Sequence, residues 1–348
     1  VFGYLSSKLG NRFGMISSVL VCGIFSVFTA LIPHFGTLMI IRFIVGFGTG
    51  GIMGPVLAEI TKHWSVLWRG RAVAWAMCAY QAGSMFASLT ARIVLPDWRK
   101  MYYVPIVFGV AVSILIFFFL PKKDEPGIEP EVQETKKQAA DIKPKDILVG
   151  PVLAVTLLGI LVSGMNMAAA YGMGAWIPSW LAEDHGLDPA AMATFSALNF
   201  AAGIVGYLVW SYVASKIGTI KTCVIVFLGT AAALVVYAFV SGEGLLVAMG
   251  PVTYFFQGGV GCAVSILCSE MYPDRLRAYG SGAAFGAGRI FSVISPFTLA
   301  LIASSYGYTI AIRVVPIIFA LGAVFALLLG AAVKRYRASD YWDGLETK

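Results

Sequence analysis

Charge is scarce in this 348-residue chain: Asp, Glu, Lys and Arg together make up 12% of it, and histidine occurs three times. An ordinary soluble domain carries about 25% charged residues, so there is too little charge here to cover a surface in water. The apolar share is 59% and the mean hydropathy +0.82. Lipid is therefore the solvent for most of the chain. This excludes a soluble enzyme, a nucleic-acid-binding domain and a disordered protein. His34, His63 and His185 are far apart and lack metal-ligand spacing, which leaves zinc or histidine-based catalysis without residues. No G-x-S-x-G nucleophile motif occurs. Cys22, Cys78, Cys223, Cys262 and Cys268 all lie in apolar runs and read as small buried hydrophobes, with no disulfide framework. No enzymatic chemistry, metal or cofactor is expected.

What the chain has in quantity is long apolar runs. About 20 mostly apolar residues cross a bilayer as a helix. Such runs fall near 13–32, 38–60, 72–95, 101–120, 149–180, 191–214, 222–241, 245–270, 279–303 and 308–333, which predicts ten spans. They are too long for barrel strands and do not alternate with period two. Nineteen of the 25 Lys and Arg fall in the loops at 6–12, 61–71, 121–147, 215–221 and 271–278 and in the tail after 333. The opposite loops carry Arg99 and Lys100 alone, and Arg42, Arg92, Arg289 and Arg313 lie within spans. The basic loops belong on the cytoplasmic side, so both chain ends are placed in the cytoplasm, across an inner or plasma membrane. The net charge of +7 is thus topological and does not call for a nucleic-acid partner.

The long polar stretch at 121–147 mixes six Lys with seven Asp and Glu and reads as a solvated cytoplasmic linker. It divides the chain into an N-terminal bundle, 1–120, and a C-terminal bundle with its tail, 148–348. The two parts repeat one another. Leu5-Ser6-Ser7-Lys8-Leu9-Gly10 matches Val213-Ala214-Ser215-Lys216-Ile217-Gly218, and Glu59 with Arg69-Gly70-Arg71 is echoed by Glu270 with Arg275-Leu276-Arg277. Two spans precede the second copy of the loop motif after the linker, and only Val1–Leu5 precede the first. The repeat therefore predicts two further spans ahead of Val1 and a twelve-span protein of two six-helix halves, with a natural ten-span protein as the alternative.

At these residues the chain resembles the major facilitator superfamily. Gly3-Tyr4-Leu5-Ser6-Ser7-Lys8-Leu9-Gly10-Asn11-Arg12 is similar to that family's cytoplasmic signature between its second and third helices. Arg42-Phe43-Ile44-Val45-Gly46 followed by Glu59 and Arg69-Gly70-Arg71, and Asp97-Trp98-Arg99, resemble its later segments. The stretch from Ser269-Glu270-Met271-Tyr272-Pro273 to Gly288-Arg289 is similar to the metabolite:proton symporter branches, which include aromatic-acid, sialate and sugar porters. The resemblance implies an all-α integral membrane fold of two helical bundles, ten of twelve spans being present. It implies a monomeric secondary transporter working by alternating access, with a proton as coupling ion. It also implies a cytoplasmic gate made of Ser7, Lys8, Gly10, Arg12, Glu59 and Arg71 in the first copy. Ser215, Lys216, Gly218, Glu270 and Arg277 are the corresponding set in the second. The family's signature aspartate is Ser7 here and Ser215 in the repeat, so the latch has to work through hydroxyls or lean on Glu59–Arg71 and Glu270–Arg277.

None of the 18 acidic residues lies in the middle of a span. Arg289, in contrast, is ten residues into its span, about 15 Å deep at 1.5 Å per residue. An arginine there costs roughly 2.5–3.5 kcal/mol and has to face a cavity or a partner. Its guanidinium suits a carboxylate through paired N–H donors. A structural partner and backbone carbonyls are the other readings. Arg42 can snorkel to the outer interface, or contribute to the substrate site; the resemblance implies that it pairs with an acidic residue of the family's first helix. Gln81, Asn166, Asn199 and Gln257 lie mid-span, with Tyr80 and Tyr171 nearby; each amide either binds substrate or only hydrogen-bonds a neighbouring helix. The glycine runs at 46–51 and 258–261 lack the Lys-Ser/Thr of a phosphate loop and read as helix-packing surfaces. Taken together, the residues predict transport of a small organic anion, a monocarboxylate. A neutral sugar or polyol porter using Asn166, Gln257 and Asn199, and a non-transporting sensor of the same fold, are the alternatives.

Overall fold

A computed structural model describes residues 10–52, 55–56, 59–60, 63–64, 66–120, 147, 150–240 and 242–337. Each of the ten apolar runs is helical where it is described. The helices are α1 (Asn11–Leu31), α2 (Phe35–Gly51), α3 (Val66–Val94) and α4 (Val104–Phe119), the last entered through a 3₁₀ turn at Trp98–Tyr103. They continue with α5 (Gly150–Glu183), α6 (Pro189–Ile217), α7 (Thr219–Phe239), α8 (Glu243–Glu270), α9 (Asp274–Gly288), α10 (Ile290–Tyr306) and α11 (Tyr308–Arg337). Among the described residues, eight segments are long and apolar enough to cross a membrane.

Local chemistry sets the helix ends. Asp188 caps α6, its Oδ1 accepting from the Ala190 N–H at 2.6 Å, and Pro189 takes the first helical position, where no N–H is needed. Gly10 and Gly218 open α1 and α7 with nearly the same backbone, φ 90° and ψ 153° against φ 92° and ψ 148°. That region is open in practice to glycine alone. The glycine that ends each copy of the motif therefore adopts the same conformation, one that requires glycine.

The described residues fall into two compact units. The first draws on Val1–Val73 and Leu89–Val132. Within it α1 packs on α2 and α4 along a stripe of small residues. The Ser18 hydroxyl donates to the Gly48 carbonyl at 2.6 Å, and a Cβ on Gly48 would lie 2.8 Å from Cys22 Sγ. With lipid outside, such close backbone approach and interhelical hydrogen bonds replace the hydrophobic effect as the source of cohesion.

The second unit draws on Ala74–Ser88 and Gln133–Lys348, so the middle of α3 belongs to it. Helix α5 is central. Val152, Val155, Gly159, Val162, Asn166, Ala169, Met173, Ile177 and Trp180 recur every three or four residues and are all buried. Against its other side lie α9 and α10: the Ser163 hydroxyl donates to the Ala284 carbonyl at 2.8 Å, and Trp176 Nε1–H donates to the Pro296 carbonyl at 3.0 Å. At the end of α5 the Asp184 carboxylate accepts the Thr309 N–H at 3.0 Å and the Thr309 hydroxyl at 2.5 Å, closing the start of α11. At the opposite end the Tyr272 hydroxyl, whose burial pushes its pKa up to about 12, donates to Thr156 Oγ1 at 2.9 Å.

The apolar run at 279–303 lies in one span, Gly280–Tyr306, that tightens locally at Arg289. The α-helical ladder stops at Gly288 and restarts at Ile290. At the joint the Arg289 N–H bonds three residues back, to the Gly286 carbonyl at 3.2 Å. The Arg289 carbonyl accepts both the Ser292 N–H, at 3.0 Å, and the Ser292 hydroxyl, at 2.7 Å. Gly280, Gly282, Gly286 and Gly288 weaken the helix here, and the missing side chain of Gly288 lets α9 lie flush on Ser163.

Candidate functional site

The polar side chains of the second unit sort into two groups by exposure. Tyr80 on α3 and Tyr171 on α5 are 64% and 45% exposed, and Arg289, at the joint between α9 and α10, is exposed too. Gln81, Asn166 and Asn199 are 5%, 4% and 2% exposed, and Gln257 is half-buried. Among the open residues, Tyr80 lies beside Tyr171, and the Arg289 guanidinium is near enough to act on Tyr80 electrostatically. Three of the residues singled out in the sequence are thus brought together by three different helical segments. At Gly288–Arg289 the helix only tightens by one residue, and Arg289 keeps helical dihedrals (φ −62°, ψ −22°).

The buried amides are packed against helices instead. Gln81 presses on Gly203 of α6, where a Cβ would overlap its Nε2. Asn199 of α6 packs on Gly250 of α8, where a Cβ would lie 2.6 Å from its Oδ1. Asn166 sits in the buried stripe of α5. The Oδ1 atoms of Asn166 and Asn199 have no hydrogen-bond partner.

Arg42 belongs to the first unit, where its guanidinium lies over the Tyr102 ring at 4.4 Å from the centroid. Arg313 is seated in the same way on Phe239 at 4.2 Å. Such cation–π seats near span ends accommodate an arginine without substrate.

The gate residues are partly visible. Ser7 and Lys8 lie outside the described residues, and nothing is described of the Arg71 and Arg277 side chains. Arg12 rests on the Phe117 ring at 4.1 Å. Glu59 accepts from Asn11 Nδ2 at 2.8 Å and lies 3.2 Å from His63 Nε2. Glu270 accepts the Thr219 hydroxyl at 2.6 Å, and its carbonyl accepts from Arg337 Nη2 at 2.9 Å. In both copies the residue right after the turn glycine donates to the repeat's glutamate. Ser215, at the position of the family's aspartate, turns its hydroxyl back to the Tyr212 carbonyl at 2.7 Å, and Lys216 lies 5.6 Å from the Tyr212 ring.

Nothing in the sequence singles out Tyr254 and Phe200. Tyr254, 7% exposed on α8, sets its ring edge-on to Phe200 of α6 at 5.5 Å and acts on Tyr80 electrostatically. An aromatic residue in an apolar run looks like core packing, and no local pattern marked this one.

Comparison with known proteins agrees with this architecture. The model of the Major Facilitator Superfamily matches residues 1–296 and again 160–342. The chain belongs to that superfamily. This major facilitator is an all-α, multi-pass integral membrane protein that transports small molecules and is not an enzyme. Among its relatives are the gentisate transporter of Corynebacterium glutamicum, 27% identical over 317 residues (84% of this chain, 67% of that one), and the 3-(3-hydroxy-phenyl)propionate transporter of Escherichia coli K12, 27% identical over 299 residues (85% and 72%). Its fold matches the crystal structure of a bacterial homologue of the human lysosomal transporter Spinster with a TM-score of 0.73, at 13% identity over 97% of this chain and 86% of that one.

Proposed function

We propose that this major facilitator moves a small organic monocarboxylate across the cytoplasmic membrane by alternating access, with symport of a proton, and with both chain ends in the cytoplasm. The observation that supports the reading is the open cluster of Arg289, Tyr80 and Tyr171, and residues 1–348 place no carboxylate in the middle of a span. An arginine there needs an anion, and the substrate supplies it. The guanidinium grips the carboxylate through paired N–H donors, a geometry a lysine cannot reproduce. The two phenols donate to or accept from the same anion and present ring faces to its apolar body. Gentisate and 3-(3-hydroxyphenyl)propionate, named for the two relatives, are aromatic carboxylates of this kind. Arg42, Gln81, Asn166, Asn199 and Gln257 take supporting places, the buried amides by holding helices. Orientation follows the loop charges, and proton coupling follows the family branches the sequence resembles.

The test is thermal stabilisation of the full-length gene product by a panel of carboxylates and neutral sugars at two pH values. Carboxylates are expected to stabilise the wild type and to lose that effect in Arg289→Gln and Arg289→Lys. Stabilisation by sugars that survives Arg289→Gln overturns the reading in favour of a neutral sugar or polyol porter, with Arg289 structural. Binding of carboxylates without any uptake in proteoliposomes points to a sensor that has kept the fold.

A further inference from the structure

Tyr80 meets Tyr171 beside Arg289 only if α3 is held at one rotation and one depth. Consecutive residues on an α-helix diverge by about 100°, so Tyr80 and Gln81 face different neighbours. Tyr80 turns towards α5 and Arg289. Gln81 turns towards α6, where it is buried and its amide presses on Gly203. A Cβ at 203 would overlap Gln81 Nε2, the far end of that side chain, and stand 3.4 Å from Gln81 Cδ, so a methyl there obliges the amide to turn aside. The same point lies 3.6 Å from the carbonyl oxygen of Tyr254 on α8. The Gly203 backbone has no room to retreat either, because Gly258 of α8 packs directly on its carbonyl and a Cβ at 258 would stand 3.1 Å from its carbonyl carbon. Gly203 is therefore fixed by α8 and open to α3, and what occupies the opening is a polar side chain.

We propose that Gly203 is a positioning residue for the substrate site: the side chain it lacks forms the seat for the Gln81 amide, and Gln81 in that seat holds α3 so that Tyr80 meets Tyr171 next to Arg289. The inference rests on the reading of Arg289, Tyr80 and Tyr171 as the anion site. It assigns Gln81 a role through its neighbour instead of direct contact with substrate. Gly206, one turn further along α6, differs: the group its Cβ would meet is the Phe255 backbone of α8, so it serves helix crossing and nothing on α3.

The experiment uses the full-length protein in proteoliposomes and two readouts. One is the labelling rate of a Tyr80→Cys thiol by a water-soluble methanethiosulfonate, measured over the same protein without that substitution. The other is the KM and kcat for gentisate uptake with Tyr80 in place. Gly203→Ala is expected to change the labelling rate by about threefold or more and to raise KM by about tenfold with little change in kcat. With Gln81→Ala present the methyl group has room, and Gly203→Ala is expected to add nothing further to either readout. Gln81→Asn keeps the amide but withdraws it by one methylene. It is expected to shift the labelling rate in the Gly203 protein, and it decides the matter should Gly203→Ala not fold.

Equal effects of Gly203→Ala with and without Gln81, or a labelling rate that neither Gly203→Ala nor Gln81→Asn moves, overturn the proposal. Labelling that follows the expected pattern in a protein whose carboxylate uptake is indifferent to Arg289→Gln upholds the positioning role and removes the anion reading. Loss of gentisate uptake in Arg289→Gln with labelling unmoved does the reverse.

Discussion

Two sets of polar side chains share the second unit, and they are treated in opposite ways. Arg289, Tyr80 and Tyr171 stay open and interact with one another. Gln81, Asn166 and Asn199 are buried, and two of them keep a carbonyl oxygen without a partner. In an apolar chain a polar group is costly in either place. The difference shows where that cost serves a ligand and where it serves packing. An open group is available to whatever enters, while a buried amide at a glycine fixes the distance and register of two helices.

The sharpest way to break this comparison is to remove the open charge. Arg289→Gln is expected to weaken carboxylate binding by at least about 30-fold, the equivalent of roughly 2 kcal/mol for a paired, charge-assisted contact, as read by a binding titration on detergent-solubilised protein. An unchanged affinity would return Arg289 to a structural role. Next in size are the phenols. Tyr80→Phe and Tyr171→Phe each delete one neutral hydrogen-bonding group, worth about 0.5–1.5 kcal/mol, and are expected to raise Kd by about two- to tenfold. Because the two phenols lie side by side, the double variant should lose less than the sum of the singles. Strict additivity would mean that they do not act as a unit.

The buried set should respond in the other direction. Asn166→Leu and Asn199→Leu replace an amide whose Oδ1 has no partner by an apolar group of similar size. Removing an unsatisfied polar group while filling its volume is close to neutral, or stabilising by about 1 kcal/mol. Unfolding temperature should hold or rise, and carboxylate affinity should stay within about twofold. A large loss of affinity with unchanged stability would move either amide into the binding set.

The sequence shows most of the frame and part of this division. The spans are legible because a bilayer demands about 20 apolar residues of each helix, and the turn glycines and the Asp188-Pro189 cap are legible because their backbone chemistry is local. Arg289 stands out by depth alone. Tyr80 and Gln81 are indistinguishable in the sequence, since which of two adjacent residues faces a ligand depends on how α3 is rotated against α5 and α6. The packing role of Gly288 is hidden for a related reason. Glycine is common in membrane helices, and only the flush contact with Ser163 sets this one apart. Tyr254 acquires meaning only through its neighbours on α6 and α3.

The smallest effect expected is at Ser215, and it tests a third fate for a polar group, which is use within its own helix. Resemblance to the family puts the cytoplasmic latch at this position, occupied there by an aspartate. The Ser215 hydroxyl donates to the Tyr212 carbonyl three residues back, a bond that reaches no other helix. The bond that does link two helices is Thr219 to Glu270 at 2.6 Å, mirrored by Asn11 to Glu59 in the first copy. Ser215→Ala is therefore expected to leave unfolding temperature and uptake nearly unchanged, within about 0.5 kcal/mol. Thr219→Val, which keeps the shape and removes the donor, should cost about 1 kcal/mol or more by taking a hydrogen bond away from a carboxylate. If Ser215→Ala proves the more damaging of the two, the serine acts at the family's aspartate position after all, and the glutamate contacts that follow the turn glycines are secondary.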